Sequence, residues 1–298
     1  MQYIEGLKEY TDTGKSAVTF GKFDGLHRGH QKLVDKIRGY GDSDGVKTVV
    51  CAFDMPGRQV IMTTKDRKRR LGDRVDYLVN CPFSEELKHM EAEKFIKDVI
   101  KGVFHAKYVV VGTDFHFGYG QKGDAFLLKS YEKKYDYKAV VVAKERYKDR
   151  IISSTYVKEV LTEGNLELAA RLLGYHYNVC GTVRHGKHLG RTLGFPTMNV
   201  QWPENKILPP MGVYASRSLV DGVWYEGISN IGVKPTVSTD DNVLIESYLF
   251  NYDGDAYGKD VRIELHAFRR PERKFSGIEE MKACIDQDIE YGRNYFKR

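Results

Sequence analysis

The sequence predicts an α/β protein of two domains: an N-terminal doubly wound, mainly parallel sheet, then a small C-terminal antiparallel β-barrel with a closing helix. Three observations predict it. A chain of 298 residues is two domains long at roughly 150 residues each. Short apolar strands alternate with helical patterns through the first half, as they do when helical crossovers join parallel strands. After Gly174 the pattern changes to short alternating segments bounded by turn signals, as in antiparallel sheets. The reading divides the chain into residues 1–174 and 175–298.

The elements follow in order. Ala17-Val18-Thr19-Phe20 is a buried strand, and a helix runs from about His27 to Arg38 with Leu33, Val34 and Ile37 on one face. Val46 to Phe53 is the next strand. Thr64 caps a helix through Lys65-Asp66-Arg67, and Asp76 to Cys81 is a third strand. Glu91 to Val103 is helical, Lys107 to Gly112 is a fourth strand, Asp124 caps a helix to about Tyr135, and Tyr137 to Ala143 is a fifth strand. Two helical runs, Ser153–Thr162 and Asn165–Leu173, bridge to the barrel. Barrel segments are Tyr175–Arg184, Gly212–Leu219, Val223–Gly227, Leu244–Phe250 and Val261–Phe268, with Asp221-Gly222 and Asp253-Gly254 as hairpin turns. Residues 276–292 form the closing helix, with Ile278, Met281, Ile285 and Ile289 aligned.

Composition excludes several classes. Hydrophobic residues make up 41% and charged residues 30%, enough apolar material for a core. No run approaches the roughly 18 apolar residues of a membrane span, and the N-terminus shows no signal-peptide pattern. Four cysteines without a CxxC pair argue against zinc ribbons and disulfide scaffolds and fit a reducing cytoplasm. Residues 1–150 carry +7 and the remainder −1, giving the net +6. A basic half can attract nucleic acid, nucleotides or acidic substrates, but the charges are mixed in sign along helices, which favours a solvated lysine-rich surface.

The first chemical signal is Gly21-Lys22-Phe23-Asp24-Gly25-Leu26-His27-Arg28-Gly29-His30, which follows a strand and opens a helix. Gly21 and Gly25 allow a tight turn. His27 and His30, three apart, share one helix face beside free backbone N–H groups. That pairing suits a phosphate in nucleotidyl transfer. The string resembles the HxGH nucleotidyltransferases, and its FDGxHxGH form resembles the N-terminal domain of the bacterial bifunctional riboflavin kinase/FAD synthetases. Val111-Gly112-Thr113-Asp114-Phe115-His116-Phe117-Gly118, with Gly123-Asp124, is similar to that family's flavin-side loop. Ile152-Ser153-Ser154-Thr155 is similar to its second nucleotide motif, although this string also reads as a helix cap.

The resemblance implies a nucleotide site of Gly21, Phe23, Asp24, Gly25, His27, His30, Ser153, Ser154, Thr155 and Lys158. It implies a flavin side of Asp114, His116 and Asp124. Lys158 stands where the family usually has Arg, keeping the charge but losing the bidentate fork. The family often has Arg where His116 stands, and it carries Pro-His-Pro where this chain has Met55-Pro56-Gly57. Gly118-Tyr119-Gly120-Gln121-Lys122-Gly123 spells a dinucleotide fingerprint but begins six residues past the strand, too late for that role.

The second signal runs from His185 to Asn199. Its glycines expose backbone N–H groups to phosphate, and Thr197 offers an oxygen to Mg²⁺. It resembles the riboflavin kinase signature GRxxGFPTxN. Three further segments agree: Pro210 to Tyr214, Asn230 to Thr236, and Glu246 through Asp253 to Gly258. Glu246 points away from Ile245 on an alternating strand, and the resemblance makes it the base. It also implies Gly186, Gly190, Arg191, Gly194, Asn199 and Arg270 at nucleotide or flavin, and Thr197 and Asn199 at Mg²⁺.

The implied activity is bifunctional. The barrel phosphorylates riboflavin with ATP to FMN, and the first domain adenylylates FMN with a second ATP to FAD and pyrophosphate. ATP with Mg²⁺, riboflavin, FMN and FAD are the expected ligands, with no membrane and no nucleic-acid partner; the sequence leaves the oligomeric state open. Two alternatives are a riboflavin kinase whose first domain is impaired or repurposed, and a flavin-responsive RNA-binding protein. The latter lacks a clustered basic patch with interleaved aromatics.

Overall fold

A computed structural model describes residues 1–297 except 56, 186–193 and 235–241. It divides into two compact units, Met1–Ser154 and Thr155–Arg298, so the helical pair groups with the second unit.

The first unit is built on six parallel strands: β1 (Gln2–Glu5), β2 (Ser16–Gly21), β3 (Lys47–Asp54), β4 (Tyr77–Pro82), β5 (Ala106–Gly112) and β6 (Lys138–Val142). Their order is β1-β4-β3-β2-β5-β6. The chain runs outward from β2 through β3 to β4, then returns to the other side of β2. The order therefore reverses between β2 and β5, and ligands of such sheets sit beyond the strand ends at that point. The loops after Gly21 and Gly112 both open there.

The sequence patterns placed five of these strands. β1 has only four residues and pairs on one side alone, with β4, so no periodicity marks it. Helix α1 (Arg28–Asp44) runs six residues beyond Arg38 and ends on Gly45 in the left-handed region. The cap of α2 (Thr64–Leu71) is Thr63 rather than Thr64. Thr63 makes a reciprocal capping box with Asp66. The helix expected over 91–103 changes at Phe95 into wide π-type turns through Val103. Asp124 caps Ala125–Ser130 as expected, through Leu127 N at 2.8 Å.

The second unit opens with α3 (Ser154–Thr162, its first residue shared with the boundary) and α4 (Leu166–Leu173). Its strands are β7 (Asn178–Thr182), β8 (Met198–Gln201), β9 (Gly212–Val220), β10 (Val223–Lys234), β11 (Asn242–Leu249) and β12 (Asp260–Pro271). They form one antiparallel sheet in the order β7-β12-β9-β10-β11-β8. A bridge from Arg184 N to Asn199 O at 2.8 Å brings the chain after β7 against β8 and nearly closes the barrel.

Asp221-Gly222 makes the expected two-residue hairpin, both residues at positive φ. Asp253-Gly254 does not. It lies in the connection from β11 to β12, which are not neighbours. Here the Asp255 carboxylate accepts from Tyr257 N and turns the loop.

The closing helix α5 (Ile278–Phe296) also differs from its pattern. Ile278 is 65% exposed, while Cys284, Asp288 and Gly292 are buried. Gly292 lets the helix approach Ile228 and Phe250, where Ile289 joins a small core with Val213.

Candidate functional site

The phosphate end of the first unit is assembled by one turn. β2 ends at Gly21, and the chain reverses through Phe23, Gly25 and Leu26, all at positive φ. At Gly25 (φ +80°) a Cβ would sit 3.0 Å from Ile61, so both the angle and the space favour glycine. Asp24 fastens the turn. Its buried carboxylate accepts from Ile61 N at 2.7 Å and Met62 N at 3.3 Å, and its carbonyl accepts from Ser154 Oγ at 2.9 Å.

His27 then caps α1, its Nδ1 accepting from His30 N at 3.4 Å. The two imidazoles stack with centroids 3.7 Å apart and planes 19° from parallel. A Cβ on Gly29 would stand 3.2 Å from the His27 ring, which explains the glycine between them.

These rings carry no standing charge at neutral pH. Burial pushes His27 down to about 4. Burial, then repulsion from a protonated His27 and from Arg67, push His30 well below its ordinary value. Nδ1 of His30 is buried with no hydrogen-bond partner among the described residues. The pair therefore meets an anion as neutral, pre-oriented imidazoles at a helix N-terminus.

The predicted residues separate into groups. Gly21, Phe23, Asp24, Gly25, His27, His30 and Ser154 gather at this turn, and Ser153 immediately precedes α3. Thr155 and Lys158 lie on α3 in the second unit. Asp114 is exposed, pairs with Lys144 at 2.7 Å, and its charge acts on His27. The His116 ring meets the Asp114 carbonyl at 3.0 Å. Asp124 is occupied as a helix cap.

Sequence reasoning missed three residues here. Glu145 links Arg28, at 2.7 Å, and Lys32 on α1. Arg67 on α2 and Asn80 at the end of β4 form a buried polar pair, Nη1 donating to Oδ1 at 3.2 Å. Their charged sequence surroundings look like a solvated face, and only the strand order brings them to the strand ends.

In the second unit, register assembles the site. Glu246 on β11 faces Asn199 on β8 on one side and Asn230 on β10 on the other. The three polar residues thus form one cross-strand row. Ile245 and Ser247 are buried inside the barrel, and half-buried Glu246 points to the other face, as the alternation predicted. Nδ2 of Asn230 donates to Glu272 at 2.9 Å, bringing a second carboxylate to the row's edge.

One oxygen in the row is unmatched. Oδ1 of Asn199 is buried without a partner among the described residues. A hard divalent cation binds such an oxygen, so Asn199, with Thr197 two residues before it, fits Mg²⁺. No group of three or more His, Cys, Asp or Glu suits a metal among the described residues. An ion held mainly by phosphates and water fits that donor set.

Gly194 has φ +86° in the turn before β8. Gly186, Gly190 and Arg191 lie outside the described residues. Arg270 is engaged elsewhere: it makes a fork with buried Asp288 on α5, Nε to Oδ1 at 3.0 Å and Nη2 to Oδ2 at 2.7 Å. Its geometry is that of a helix anchor.

Comparison with known proteins shows the family of the chain. A riboflavin kinase family matches residues 173–296, and an FAD synthetase family matches residues 9–156. Among curated relatives, the bifunctional riboflavin kinase/FMN adenylyltransferase of Buchnera aphidicola (subsp. Schizaphis graminum) is 33% identical, covering 99% of each chain. The chain belongs to the bifunctional riboflavin kinase/FMN adenylyltransferase family. The Bacillus subtilis relative of the same name is 35% identical, over 96% of this chain and 94% of its own. That of Escherichia coli K12 is 32% identical, over 99% and 98%.

A solved structure from Streptococcus pneumoniae, described as a macrolide-efflux protein, matches with a TM-score of 0.87 at 28% identity, covering 98% of this chain and 99% of its own. Among the described residues of the present chain, no helix is long and apolar enough to cross a membrane. Both activities of the family, riboflavin phosphorylation and FMN adenylylation, are therefore those of this enzyme, with ATP and a divalent metal.

Proposed function

We propose how this chain's residues divide the two reactions. In the barrel, Glu246 accepts the proton of the ribityl hydroxyl as that oxygen attacks the γ-phosphorus of ATP, the bond to the β,γ-bridging oxygen breaks and ADP leaves. General-base assistance of this kind is worth about 10²–10⁴-fold. The single observation that carries this reading is the cross-strand row, which sets Glu246 beside the unmatched oxygen of Asn199. Asn199 and Thr197 would hold Mg²⁺, which would supply neutralisation of charge on the ATP phosphates. Asn230, tied to Glu272, borders the base.

In the first unit, His27 and His30 donate N–H groups to the ATP phosphates as the FMN phosphate attacks the α-phosphorus and pyrophosphate leaves. Their stacking and the Asp24-fastened turn hold them in place before substrate arrives, so little reorganisation accompanies the reaction. Ser153, Ser154, Thr155 and Lys158 serve the nucleotide, and Asp114 and His116 the flavin side, on the strength of the resemblance.

Two variants test the division. His30→Ala abolishes FAD formation and spares FMN formation. Glu246→Gln lowers FMN formation by about 10²–10⁴-fold and spares FAD formation from supplied FMN. A single substitution that removed both activities from a folded chain would refute it.

A further inference from the structure

Arg67 is the most deeply buried guanidinium among the described residues of the first unit. It is the fourth residue of α2 and 4% exposed. A guanidinium has five N–H donors. Among the described residues, Arg67 uses one side-chain donor, Nη1 to Asn80 Oδ1 at 3.2 Å, and its Nε is buried with no partner.

The nearby carboxylates do not fill the gap. Asn80 donates its own amide to Glu5 at 2.9 Å and to Asp54 at 3.4 Å, and among the described residues neither carboxylate is hydrogen-bonded to the guanidinium. A buried cation kept only for stability would have its donors matched, because an unmatched buried charge is costly.

Arg67 adjoins the phosphate turn, because Asp24 of that turn accepts from Ile61 N at 2.7 Å and Met62 N at 3.3 Å, the residues that lead directly into the Thr63 cap of α2. The charge of Arg67 also acts on the His30 ring, and those of Asp54 and Asp24 act on Arg67. Nδ1 of His30 is likewise buried and unmatched. A fixed cation with spare donors beside two neutral imidazoles is complementary to a polyphosphate, and the planar fork suits two phosphate oxygens.

We propose that Arg67 is a phosphate-binding residue of the adenylyl-transfer site, donating its free N–H groups to a phosphate oxygen of ATP or FMN held against His27 and His30. This rests on the adenylyl-transfer reading of the first unit. Asn80 holds the guanidinium in place from the strand end.

The test is steady-state FAD formation by full-length Arg67→Lys and Arg67→Met, with ATP and FMN varied separately. Riboflavin phosphorylation and urea unfolding are measured on the same preparations. The expected result is a loss in kcat/KM of about 100-fold for Met and about 10-fold for Lys, which keeps the charge but not the fork. The loss falls on the KM of one substrate, ATP or FMN, and so names the phosphate. FMN formation stays within about twofold of the parent, since that site is in the barrel.

Unchanged KM values for both substrates in folded Arg67→Lys would overturn the proposal, whether or not the Met variant folds. So would equal losses for Lys and Met that follow their unfolding midpoints. If the parent chain itself made no FAD, the adenylyl-transfer reading would fail first, and this proposal with it.

Discussion

Asp24 offers a direct measure of how the phosphate turn is held. Its carboxylate accepts two backbone N–H groups of the segment before α2, at 2.7 Å from Ile61 and 3.3 Å from Met62, and it is only 8% exposed. Asp24→Ala removes the one oxygen, Oδ1, that accepts both bonds and leaves two N–H groups without an acceptor. A hydrogen bond to a charged acceptor contributes about 1.5–3 kcal/mol, and the longer contact less. Together they amount to about 3 kcal/mol. Asp24→Asn keeps one oxygen acceptor and is expected to cost about 1 kcal/mol. Urea unfolding of the first unit measures both values. FAD formation falls with the Ala variant because His27 and His30 follow directly from this turn, while FMN formation in the barrel is spared. An Ala variant within about 0.5 kcal/mol of the parent would refute the claim that Asp24 holds the turn.

Further outcomes follow from the charges. His27 goes from 6.5 to about 4 on folding, so between those values the unfolded chain binds a proton that the folded chain does not. Stability of the first unit therefore falls as pH drops below 6.5, by about 2 kcal/mol from His27 between pH 7.5 and 5. Denaturation at the two pH values shows a correspondingly smaller difference in His27→Gln; an identical difference would contradict the assignment. Asp288→Ala leaves Arg270 unpaired against α5 and costs about 3 kcal/mol in the barrel unit, with Asn in between, read by thermal unfolding. Asn199→Ala raises the Mg²⁺ concentration needed for half-maximal FMN formation by about tenfold, and an unchanged requirement would remove Asn199 from the metal site.

Much of this was legible in the sequence because the informative residues are close together in it. The ten residues from Gly21 to His30 contain the strand end, the turn glycines, the cap and both histidines, so local rules suffice. Glu246 was placed on the correct face by simple alternation with Ile245. What escaped reading depends on partners far apart in the chain. Arg67 lies in a run of basic residues that looks solvated, and only the position of β4 beside β3 brings Asn80 to it.

The fork between Arg270 and Asp288, 18 residues later, is equally a long-range feature that no local pattern marks. The same pairing explains why α5 buries an aspartate while Ile278, on the expected apolar stripe, faces solvent. Asp253-Gly254 has the chemistry of a hairpin, but the strands it joins are not neighbours, and pairing order is not a local property.

The central claim is that one chain carries both reactions at separate sites. Its most direct test is a time course of the parent enzyme with riboflavin, ATP and Mg²⁺, the flavins being separated by chromatography. The account predicts FMN rising first and then converting to FAD. FMN accumulating without FAD would contradict the assignment of His27 and His30, and riboflavin left unchanged by the folded protein would contradict the assignment of Glu246.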